Sequence, residues 1–155
     1  MRNVCVFFCL AACALPLFAG KAFIQPKAGP ADADGWESYD TPYVLTQQGA
    51  KDVSPGLVSP EAAVVHFFAG LMRKDACYKQ ALPSPVPQDV QETLQEYASW
   101  TFTKIVLLKR KQCEPGTYWI LLDMVIDIQG KQETGQDEIT VTERDGKWYV
   151  VEPPC

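Results

Sequence analysis

Residues 117–129 read Thr-Tyr-Trp-Ile-Leu-Leu-Asp-Met-Val-Ile-Asp-Ile-Gln, and this run limits the possible folds more than any other stretch. Alternate residues of a strand share a face. The even positions, Tyr118, Ile120, Leu122, Met124, Ile126 and Ile128, carry no charge. The odd positions, Trp119, Leu121, Asp123, Val125, Asp127 and Gln129, are apolar at one end and acidic at the other. Wound as a helix, Tyr118 to Leu122 would spread apolar surface around the whole turn. The β-branched and aromatic content, with Pro115-Gly116 just before the run, favours a strand. Its even face is expected to join the core, while its odd face meets water or a partner.

The elements that would roof this strand are also signalled. Ser59 suits a helix N-cap, Pro60 the first helical position and Glu61 the positive helix end. Val64, Val65, Phe67, Phe68, Leu71 and Met72 then fall on one broad side. His66, the only histidine, falls on the opposite side, where a solvent-facing role outweighs a general base. Lys74-Asp75 ends this helix. Residues 76–82 suit a short second helix, the prolines at 83, 85 and 87 forbid regular structure, and residues 88–97 form a third helix with Val90, Leu94 and Tyr97 along one stripe.

From Trp100 the period becomes two. Residues 100–111 are expected to form a strand and residues 112–116 a turn into the central strand. Residues 130–135 turn again, and 138–144 and 147–152 make a hairpin about Asp145-Gly146. In a two-residue turn Arg144 pairs with Lys147, Glu143 with Trp148 and Val141 with Val150. The expected fold class is α+β, with N-terminal helices packed on a curved four-stranded antiparallel meander.

Ahead of the helices, residues 21–57 carry Pro26, Pro30, Pro42 and Pro55 among alanines, glycines and acids. They read as a flexible linker, with Trp36, Tyr39 and Tyr43 able to dock. Residues 1–20 read as an export signal. Arg2 gives a positive end, Val4 to Phe18 is almost wholly apolar, and Ala19, Gly20 and Ala22 offer small residues for cleavage. The rival reading is a lipobox at Leu10-Ala11-Ala12-Cys13, which would acylate Cys13. The twelve residues before that cysteine are few, and an apolar stretch follows it. Exported and soluble, periplasmic or extracellular, is the favoured reading. The folded domain is then 58–155, with no membrane span in the mature chain.

Removing the signal leaves Cys77, Cys113 and Cys155. Their spacing is too wide for a redox or zinc motif. Cys113 and Cys155 would lie at opposite ends of a meander, too far apart to bridge, and Cys77–Cys155 is taken as the expected bridge. The formal net charge of −5 argues against nucleic acid as a partner. The one basic run, Lys109-Arg110-Lys111, reads as a solvated strand tip.

The stretch Ser59-Pro60-Glu61-Ala62-Ala63-Val64-Val65-His66-Phe67-Phe68-Ala69-Gly70-Leu71 resembles the opening of small exported bacterial domains in the NTF2-like superfamily, of the DUF4878 and lumazine-binding-like type. Ile139 to Val150, with Asp145-Gly146-Lys147-Trp148, resembles their closing hairpin. The resemblance covers about residues 58–152. It implies a sheet curled around its helices with a pocket at the open end, and no particular activity.

Enzymes of that shape place a carboxylate inside the pocket. Here the clean face of the central strand offers only the Tyr118 hydroxyl, so no catalytic residue, cofactor or metal ligand is singled out. A pocket for a small apolar ligand could be lined by Phe68, Tyr97, Phe102, Tyr118 and Trp148, which would otherwise simply fill the core. Trp119, Leu121 and Val125 on the outer sheet face would suit a homodimer contact. The expected function is a non-catalytic exported binding or interaction domain. The alternative is an isomerase or dehydratase of the same superfamily.

Overall fold

A computed structural model describes residues 22–155. The expected export signal and the acylation site at Cys13 lie outside the described residues. Six strands form one antiparallel sheet in sequential order, so every strand neighbours the next one in the chain. They are β1 (Ala28–Ala31), β2 (Glu37–Thr46), β3 (Trp100–Glu114), β4 (Thr117–Ile128), β5 (Lys131–Arg144) and β6 (Lys147–Glu152). The helices are α1 (Gln47–Asp52), α2 (Pro60–Arg73) and α3 (Gln88–Tyr97), with a 3-10 turn at Ala76–Ala81.

This corrects the four-stranded expectation. Two strands and a short helix come from residues 21–57, read above as linker, and they precede the long helix. The prolines that argued against strands sit where strands tolerate them. Ser38 pairs with Lys109 but Tyr43 pairs with Leu107, so β2 bulges between them and Pro42 lies in the bulge. Pro30 lies in the edge strand β1.

β4 is central, and Ile120 and Leu122 are fully buried, with Met124 and Ile126 nearly so. β5 begins at Lys131, seven residues earlier than its sequence pattern suggests. A two-residue turn with positive φ at Gln129 (54°) and Gly130 (83°) starts it, a combination suited to a tight hairpin. The second hairpin has the register expected, with Arg144 opposite Lys147 and Val141 opposite Val150.

α2 packs on one face of the sheet, against β3, β5 and β6. Ser59 caps it by accepting the Ala62 N–H at 3.0 Å. Apart from Leu71 and Arg73, every residue of α2 is buried, which a one-sided amphipathic helix does not allow. The second cover is the 3-10 turn. A Cβ on Gly70 would stand 2.4 Å from the Tyr78 backbone nitrogen, so only glycine lets the turn come this close. His66 is therefore buried rather than solvent-facing, its Nε2 3.2 Å from the Cys77 carbonyl oxygen.

Candidate functional site

The two ends of α2 sit in different chemistry. At its N-terminal end the fully buried Glu61 accepts hydrogen bonds from the Tyr39 hydroxyl (2.9 Å), the Arg110 guanidinium (2.9 Å) and the Gln25 side-chain amide. Arg110 also pairs with Glu37 at 2.7 Å and stands over the Tyr118 ring, 5.1 Å from its centroid. The basic run is thus no solvated tip. Strand β2 lays Glu37 directly opposite Arg110, Lys109 covers the Trp36 ring at 4.8 Å, and Lys111 approaches Trp119 at 5.9 Å. Burial, with the Glu61 charge beside it, pushes the Tyr39 hydroxyl well above the ordinary phenol range. Gln25 also borders a groove beside β2, but Glu61, Tyr39 and Arg110 spend their polar groups on one another, so the cluster acts as a clamp.

The C-terminal end of α2 is open. A groove of about 350 Å³ runs between the end of α2, the 3-10 turn, the end of α3 and the start of β3. Leu71, Tyr78, Leu94, Tyr97, Trp100 and Phe102 supply its apolar lining, and Lys74, Asp75 and Lys79 its charges. The aromatic walls pack on one another in tilted and edge-on pairs. Tyr97 meets Trp100 and Phe102 at 5.0 Å between centroids, and Phe102 meets Phe68 edge-on at 5.3 Å. The Tyr97 hydroxyl donates to the Pro154 carbonyl, which ties the chain's last residues to α3, and burial raises its pKa.

Asp75 is the only carboxylate lining this groove, and both its oxygens are committed. Oδ2 accepts from Arg73 at 2.5 Å and Oδ1 from the Cys77 N–H at 2.9 Å. Partial burial works to raise its pKa, but these donors outweigh it and hold the carboxyl below its ordinary value. A general base suited to neutral pH needs the opposite shift. Among the described residues no three His, Cys, Asp or Glu side chains come together as a metal site requires.

The five expected pocket residues divide. Tyr97 and Phe102 line the groove, and Phe68 packs behind Phe102. Tyr118 and Trp148 meet edge-on 5.7 Å apart beside Arg110, at the far end of the sheet, and do not belong to the groove. Cys77, Cys113 and Cys155 are all unbridged, so the expected Cys77–Cys155 bond is not formed. Trp119 is 37 % exposed on the outer face of β4, and Leu121 and Val125 are half-buried there.

The sequence reading passed over Tyr78, Leu94, Trp100, Lys74 and Lys79 as site residues. Lys74-Asp75 signalled only a helix end. What joins them is the packing of the 3-10 turn against α2, and the one local signal for it was Gly70 inside the helix, between Ala69 and Leu71.

A second groove of about 530 Å³ lies between the N-terminal arm and β2, walled by Ile24, Pro26, Pro42, Tyr43, Val44 and Val53. Its charges, Lys27 and Asp40, lie 3.7 Å apart and offset each other. Among the described residues no helix is long and apolar enough to cross a membrane. No family model, no curated protein and no solved structure matches the chain.

Proposed function

We propose that this chain is an exported, non-catalytic binding domain whose aromatic groove at the end of α2 takes a small apolar molecule. The observation that carries the reading is the wall of Tyr78, Tyr97, Trp100 and Phe102 around an open volume of about 350 Å³, within the range of ligand sites. Aromatic rings packed against one another give rigid contact surface with little rotamer freedom to lose. The fully committed carboxylate of Asp75 favours holding a ligand over moving its protons. Export is supported by Arg2 and the apolar stretch that follows it.

Native mass spectrometry of the protein purified from its own source tests the reading. A small molecule should be retained by the wild type and lost from Trp100→Ala with the fold intact by circular dichroism. A wild-type protein that carries no ligand, and binds none from an extract of its source, would sink it.

A further inference from the structure

We propose that the mouth of the groove is an anion seat made by Lys74 and Lys79, and that the ligand is a small amphiphile with an apolar body and an anionic head, a carboxylate in its simplest form. This rests on the groove being the binding site. Three observations carry it.

The first is charge. Both lysines line the groove and are exposed, and neither is within ion-pair distance of a carboxylate among the described residues. The one carboxylate nearby, Asp75, is turned into Arg73 and the Cys77 N–H. The rim therefore keeps two free positive charges on a chain whose net charge is −5.

The second is backbone conformation. Lys74 caps α2 in the left-handed region, at φ 55° and ψ 38°. Glycine is the usual occupant of that position, and a residue with a Cβ adopts it at a cost. A side chain retained where glycine fits better is a pointer to a role for the side chain. A lysine here also faces the negative end of the α2 dipole, which accounts for a cation but not for the groove it borders.

The third is arrangement. Lys74 and Lys79 are the exposed charges of the lining, whereas Tyr97 and Phe102 in the same lining are buried. A ligand whose apolar body rests on Trp100 and Phe102 would then leave its head among the lysines. Long lysine stems reach such a head as point charges and set no strict geometry, so the seat selects charge rather than one head group.

Octanoate and 1-octanol share a chain and differ in head charge, so they separate the two parts of the proposal. Each is titrated by calorimetry into the full folded chain, with amide shifts of residues 97–102 locating the site. Octanoate is expected to bind about tenfold or more tightly than octanol, with the difference shrinking as salt is added. Lys79→Gln is expected to weaken octanoate about fivefold, the upper range for an exposed ion pair, and to leave octanol unchanged.

Lys74→Gly is the sharper variant. Glycine relieves the left-handed conformation, so its melting temperature should match or exceed the wild type while octanoate binding falls about fivefold. Equal affinity of the wild type for octanoate and octanol at the groove would overturn the anion seat and leave the apolar site standing. Absence of binding by either would overturn both.

Discussion

Glu61 is the residue the sheet can least afford to leave alone. It is a carboxylate with no exposed surface, held by Arg110, Tyr39 and Gln25, so its charge is compensated only while those donors stay in place. Arg110→Met would leave it buried without its cation, and breaking such a pair from one side costs about 3–5 kcal/mol. Urea denaturation should show the loss, and an unchanged midpoint would remove the clamp from this account. The double variant Arg110→Met with Glu61→Leu should recover much of it, because an apolar pair needs no compensation.

Asp75 shows a milder version of the same physics at the surface. Its carboxyl is held below its ordinary pKa, so its contribution is present above the unfolded value of about 3.9 and is lost as pH falls through the folded one. A pair this exposed is worth at most about 1 kcal/mol. Stability measured from pH 6 down to pH 2 should therefore fall more steeply below about pH 4 in the wild type than in Asp75→Asn, which keeps a capping oxygen but has no charge to lose. Parallel curves would show that Asp75 contributes nothing through its charge.

Among the elements, α2 was legible from end to end in its cap, its first-turn proline and its apolar side. Its burial was not. A helical pattern shows which face is oily, and His66 stood on the other face, yet the 3-10 turn covers that face as well. The decisive residue is Gly70, whose missing Cβ admits the Tyr78 backbone. Gly70→Ala should raise helix propensity on paper and still destabilise the fold by about 1–3 kcal/mol, as overpacking does. Its thermal denaturation will show which effect wins, and a stabilised variant would mean that the turn can retreat. β1 and β2 were hidden for a related reason. Their prolines occupy an edge and a bulge, places set by neighbouring strands rather than by the local run. The aromatic residues of the groove were partly legible, since Tyr97 and Phe102 stood out. Lys74, Lys79 and Trp100 join them only through contacts between elements distant in the chain.

At the scale of the whole molecule, one long helix lies between a sheet on one side and a turn on the other, with the clamp at its first turn and the groove at its last. Amides in such a helix have no private route to solvent, so their hydrogen exchange should require opening of the entire domain. A ligand seated beside Leu71 favours the closed state only and makes that opening rarer. Deuterium uptake should then slow by one common factor along all of α2, as strongly at Val64 near the occupied clamp as at Phe68 near the groove. The far end of the protein would register an event it never touches.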